Sequence, residues 1–109
     1  MKSFIKYLTD VQHATNQQRL NEIWDVEGRL KNGNQTFKFD IRPLKSIDNR
    51  LEKTGFFNTK ADKIVFEDAE QWIVFDIEEL HNYIRNQNKK DFNVQELLKT
   101  LSWNLKIDK

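Results

Sequence analysis

The sequence predicts an α+β domain: two antiparallel β-hairpins forming one sheet with helices packed on it, in the order α-ββα-ββα-α. Three observations carry this. Apolar residues recur at helical spacing towards both termini, and two central stretches alternate apolar and polar residues on either side of turn residues. Hydrophobic residues make up 38% of 109 residues, with eight Phe and three Trp, which is enough for one core and one domain over residues 1–109.

Residues 3–17 read as a helix, because Phe4, Leu8 and Val11 are spaced i, i+4, i+7 and Ser3 can cap it. The period then changes. Trp24, Val26 and Leu30 fall on one face, and Phe37, Phe39 and Ile41 alternate with Thr36, Lys38 and Asp40. Asn32-Gly33 between them tolerates φ > 0 at both positions and predicts a tight hairpin. With that turn, Val26 faces Phe39, Gly28 faces Phe37, Trp24 faces Ile41, Glu27 faces Lys38 and Arg29 faces Thr36. A turn one residue later would set Arg29 against Lys38 and Glu27 against Asp40, and like charges directly opposite are destabilising. After Pro43, Ser46 as cap, the stripe Leu44, Ile47, Leu51 and the stop at Gly55 predict a short helix, with Phe56 and Phe57 plugging the core.

The stretch 63–77 repeats the plan as strand, turn, strand. Asp76 caps a helix with Glu79 three residues on, and Ile77, Leu80 and Ile84 form its stripe. Asn93 with Glu96 predicts another start, followed by Val94, Leu97, Leu98 and Leu101, and residues 102–109 read as an edge strand. Residues 35–44 match residues 71–80 at five of ten positions, so the pattern allows two ββα units.

Net charge is +1, which names no partner, although residues 1–54 carry ten Lys/Arg against seven Asp/Glu and residues 55–109 carry eight against ten. The absence of cysteine excludes disulfides, thiolate metal sites and thiol nucleophiles. No apolar leader core is present at the N-terminus and no apolar run reaches a membrane-spanning length of ~18 residues, so a cytoplasmic protein is expected.

The second hairpin is apolar on both sides. If Ile64, Phe66, Ile73 and Phe75 face the core, then Val65, Trp72 and Val74 face away. Such strands are either central and covered on both faces, the N-terminal helix supplying one cover, or they expose a docking patch. The docking reading adds the neighbouring acids Glu67, Asp68, Glu70, Glu78 and Glu79 to Val65, Trp72 and Val74. It expects a protein or ribonucleoprotein target, with a basic surface answering the acids. The alternative is nucleic-acid binding through Arg29, Lys31, Lys38, Arg42, Lys45 and Arg50, on the first hairpin's outer face and the helix after it. Against it, Phe37 and Phe39 turn inward and leave no stacking platform.

Catalysis is not expected. No nucleophile elbow, phosphate loop or dinucleotide fingerprint is present. His13 follows Asp10 and His81 follows Glu78 by three residues, a spacing that shares a helix face, but no matching second motif completes a metal site. No metal, no cofactor and no membrane partner are expected, while homodimerisation through the second hairpin or the last strand is open. Small size, no cysteine and an abundance of Lys (13) and Asn (11) resemble phage- and plasmid-encoded inhibitors of host defence. An anti-CRISPR-like binding protein is the concrete expectation.

Overall fold

The computed structural model describes residues 2–31, 33–43, 59–86 and 94–109. Among them the order is α1 (Lys2–Ile5), β1 (Leu8–His13), α2 (Asn16–Asn21), β2 (Val26–Leu30), β3 (Thr36–Pro43), β4 (Lys63–Glu67), β5 (Gln71–Asp76), α3 (Ile77–Arg85), α4 (Val94–Thr100) and β6 (Asn104–Asp108). The α+β class holds. The order α-ββα-ββα-α does not, because the first segment contains a strand and a sixth strand closes the chain. The helix expected after Pro43, with Lys45 and Arg50, lies outside the described residues, as does Asn93.

The N-terminal helix expected over residues 3–17 is three elements. The chain turns after Ile5, where the Tyr7 N–H donates to the Phe4 carbonyl (3.0 Å), and continues as β1 along the edge of β2. Spacing of four and three fits a helix, but a ladder of hydrogen bonds to β2 outweighs the weak local preference. A bulge between Thr9 and Gln12, with Asp10 at φ 55°, absorbs the irregular spacing. A missed signal marks the next start. Thr15 accepts from the Gln18 N–H while the Gln18 side chain accepts from the Thr15 N–H, a complete capping box that opens α2.

The six strands form one mixed sheet in sequence order. The β2–β3 register is the expected one: Val26 opposite Phe39, Glu27 opposite Lys38, Gly28 opposite Phe37 and Arg29 opposite Thr36. Trp24 departs from it, packing with Ala14, Ile64 and Phe75 on the opposite face from Val26. The chain is kinked just before it, at Ile23 (φ 57°), and Asp25 donates its N–H to the Phe39 carbonyl (2.8 Å) although Val26 already faces Phe39, an offset that breaks the alternation of faces there. β3 and β4 pair in parallel, and β4–β5 and β5–β6 are antiparallel. Phe39 and Phe75, matched by the internal similarity, lie on opposite faces, so the two hairpins do not repeat in one orientation.

Each face of the sheet has its own core. On the first, α3, α4 and the residue after α4 lay Ile77, Leu80, Ile84, Leu97 and Leu101 over Ile64, Phe66, Ile73 and Phe75. On the second, Phe4 of α1 sits against Phe39 and Trp72, with ring centroids 5.4 and 5.6 Å away, among Val26, Val65 and Val74. The sheet curls around this plug. Five strand spacings of ~4.8 Å would hold the edges of a flat sheet ~24 Å apart, yet the Tyr7 hydroxyl, one residue before β1, donates to the Asp108 carbonyl of β6 at 2.9 Å.

Asp25 bridges β2 and β3 by accepting the Ile41 N–H at 2.7 Å. Burial raises its pKa and the Asp40 charge adds to the rise; the Ile41 N–H, Arg19 and Arg42 act against them without cancelling them. A carboxyl whose folded pKa lies above its unfolded one costs stability once ionised, so this contribution worsens as pH rises through the carboxylate range. Asp25→Asn keeps an acceptor for Ile41 and removes the charge. It is expected to melt above the wild type at pH 7, with the difference vanishing below pH ~4, where both forms are neutral. A lower melting temperature at pH 7 would show instead that the charge itself supports the hairpin.

Candidate functional site

The expected docking patch is buried. Val65, Trp72 and Val74 are each 0% exposed, beneath α1 and the curled edges of the sheet. Side chains that contribute no surface cannot seat a partner, and the apolar second side of the hairpin is the second core. The acids do not form one surface either. Glu67, Asp68 and Glu70 stand at the β4–β5 turn, while Asp76, Glu78 and Glu79 stand at the other end of β5, six residues or ~20 Å away. Glu67 is held by Lys109 (2.9 Å), whose hydrogen bond and charge keep the Glu67 carboxyl below the usual range. Glu79 accepts from the Ser102 N–H and hydroxyl and from the Trp103 N–H, and these bonds likewise lower its pKa. Its carboxylate thus fixes the turn into β6. Asp68 accepts the Ala69 N–H, and Glu70 and Glu78 are exposed.

Three of the four described cations of the nucleic-acid alternative are matched by acids. Arg29 pairs with Asp10, Lys38 lies 3.7 Å from Glu22 and 5.2 Å from the centroid of Trp24, and Arg42 forms a buried bidentate pair with Asp40. Lys31 is exposed. Neutral pairs displace few counterions from a phosphate backbone, so the first hairpin offers a weak electrostatic footprint. His13 and Asp10 lie on β1 and not on a helix, which removes their expected pairing. On α3, Glu78 is exposed and His81 is 9% exposed, so they do not share a free face. Among the described residues no group of three His, Asp or Glu converges to hold a metal ion, and no helix is long and apolar enough to cross a membrane.

The chain instead builds a cleft of about 500 Å³ at the end of the sheet where β4 begins and β5 finishes. Lys63, 5% exposed, points its ammonium between two rings, 4.5 Å from the centroid of Phe37 and 3.9 Å from that of Trp103. Asp76 accepts from it at 2.8 Å and from the Glu79 N–H at 3.0 Å, so one carboxylate neutralises the lysine and caps α3. Asp62, which accepts the Lys38 N–H on its side chain and the Ile77 N–H on its carbonyl, closes one wall. Glu78, His81, Asn82 and Arg85 of α3 form the other.

A second hollow of about 420 Å³ adjoins the first, lined by Asp76, Glu78, Glu79, Asn82 and Trp103. Asp76, Glu78, Asn82 and Trp103 line both. Trp103 is 36% exposed and, with Leu20, is one of two exposed large hydrophobic side chains among the described residues. The site therefore offers a rigid aromatic face, one free carboxylate at Glu78, and carboxylates already engaged at Asp76 and Glu79. Of these residues, sequence reading named Glu78, Glu79 and Asp76 and missed Phe37, Lys63 and Trp103 as neighbours. The one local signal was an isolated lysine heading an apolar strand. Comparison with protein-family models, with curated proteins and with solved structures found no match for the chain.

Proposed function

We propose that this chain is a small non-catalytic binding protein that docks on a protein partner through the strand-end cleft, taking a basic segment of that partner against Trp103 and Glu78. The observation that carries the reading is Trp103, an indole 36% exposed and shared by two adjoining hollows, the smaller of which has Asp76, Glu78 and Glu79 as its charged lining. An arginine or lysine side chain stacks on such a ring and pairs with a carboxylate beside it. Tryptophan in a ready-made concavity is also the residue type that most often carries binding energy. Glu79 anchors the backbone of Ser102 and Trp103, so little ordering remains to be done when a partner arrives. The inhibitor role expected from size and composition carries no weight in this reading.

The protein's own fluorescence tests it. Trp24 and Trp72 are 4% and 0% exposed, so a ligand-induced change in emission reports mainly on Trp103. An oligo-arginine peptide is expected to perturb the emission in a salt-sensitive way, while an oligo-glutamate peptide and single-stranded DNA leave it unchanged. Glu78→Lys should weaken the peptide's binding about tenfold, the loss of an attractive pair and the gain of a repulsive one. Indifference to the basic peptide would overturn the proposal, and a response to DNA that survives Glu78→Lys would favour nucleic-acid binding.

A further inference from the structure

We propose that β6 pairs antiparallel with β6 of a second copy of this chain, centred on Ile107, to form a two-fold dimer. The inference stands on the strand register, independently of the cleft. The Lys109 N–H donates to the Glu70 carbonyl (3.0 Å), and Glu70 continues the β5–β6 register in which Gln71 faces Asp108. In an antiparallel ladder such a bond joins directly opposite residues, and the backbone groups alternate in direction along the strand. Residues 105, 107 and 109 therefore turn their N–H and C=O groups towards β5. Asn104, Lys106 and Asp108 turn theirs outward, as the Asp108 carbonyl confirms by accepting the Tyr7 hydroxyl. All three are exposed.

Three registers of self-pairing bring these outward groups together near the middle of the strand. Centred on Leu105, Lys106 of each copy faces the neutral Asn104 of the other. Centred on Lys106, the two lysines face one another. Centred on Ile107, Lys106 of each copy faces Asp108 of the other, twice over, and the two Ile107 side chains meet on the face of the second core. Opposite charges directly across a ladder favour the register centred on Ile107. The Asp108 carbonyl has two acceptor sites, so it takes the partner's N–H while keeping Tyr7. The far edge of the sheet does not offer the same invitation. The bulge at Asp10 interrupts β1, which makes it a poorer template for β6 of a neighbour and for growth of a filament. Edge pairing is thereby biased towards a closed dimer. A single short strand is a small interface, and the association is expected to be weak.

Sedimentation from micromolar to near-millimolar concentration should show the wild type shifting towards twice its mass. Lys106→Glu alone sets two acids opposite each other, and Asp108→Lys alone sets two lysines opposite each other. Each should weaken the dimer about tenfold or more. An equimolar mixture of the two variants restores both opposite-charge pairs and should dimerise again. Should either reversal lower the melting temperature, Lys106→Gln and Asp108→Asn test the same pairs with a smaller expected loss. A wild type that stays monomeric, single variants that dimerise as the wild type does, or a mixture that fails to recover would each overturn the proposal.

Discussion

Trp72→Ala is expected to cost about 3–5 kcal/mol, the range for truncating a fully buried aromatic residue. Trp72 is 0% exposed at the middle of the second core, with Phe4 at 5.6 Å and the Lys109 ammonium 4.4 Å from its ring centroid. The cavity left by Ala would lie under α1, a single turn of four residues whose Phe4 packs against the indole. Loss of the indole should therefore loosen the N-terminal segment as well. Trp72→Phe separates packing from polarity. The indole N–H is buried with no hydrogen-bond partner among the described residues, a burden of about 1–3 kcal/mol in the wild type. Phe keeps much of the volume and removes that group, so its cost should be well under half that of Ala. Urea unfolding followed by circular dichroism measures both. A loss below ~1 kcal/mol for Ala would mean that the face is not a core at all.

The same residue shows how far the fold was legible. That β5 is apolar on both sides was plain from its residues, and such strands lie at the centre of a sheet. What covered the second side was not plain, because the cover is Phe4, some seventy residues away and carried on one helical turn. Local features came through well. The register of Val26 with Phe39 followed from the turn chemistry and from the charges of Glu27 and Lys38, all within a few residues. Features decided by distant partners did not. Leu8 and Val11 satisfy a helical period equally well, and only the free edge of β2 makes that segment a strand. Nothing local specifies that β3 and β4 run parallel, since that depends on how the chain returns from Pro43 to Lys63.

The candidate site was less legible for the same reason. Phe37, Lys63, Asp76 and Trp103 come from four separate segments and meet only after the sheet has formed. Asp76 was read as a helix cap, which it is, but its second oxygen serves Lys63. Glu79 was read as the return half of a capping box. Its carboxylate instead holds Ser102 and Trp103, a long-range contact that no spacing rule anticipates. Trp103 sits in a segment read as an edge strand, and its exposure depends on that clamp.

Asp76→Ala should be the most damaging polar substitution in the site, at about 3–5 kcal/mol, because it leaves the Lys63 ammonium in a buried position with no counter-charge. It also removes the cap that accepts the Glu79 N–H, a contribution of about 1 kcal/mol by itself. The reverse deletion is milder. Lys63→Met removes the buried charge and keeps an unbranched stem between Phe37 and Trp103, while Asp76, with 30% of its side chain exposed, keeps the Glu79 N–H. Asp76→Ala combined with Lys63→Met should therefore be more stable than Asp76→Ala alone. Acid unfolding gives an independent check. Burial pushes the Asp76 carboxyl up, but the Lys63 hydrogen bond, the Glu79 N–H and the Lys63 charge together hold it below the ordinary value. An acid whose folded pKa is depressed stabilises the fold above its unfolded value of ~3.9 and loses that contribution as pH falls below it. The wild type should thus lose stability more steeply below pH ~4 than Lys63→Met does. Equal acid slopes for the two proteins, or a double variant no better than Asp76→Ala, would mean that Lys63 is not a buried cation in need of a partner, and the cleft would then have to be drawn with that side chain turned out to water.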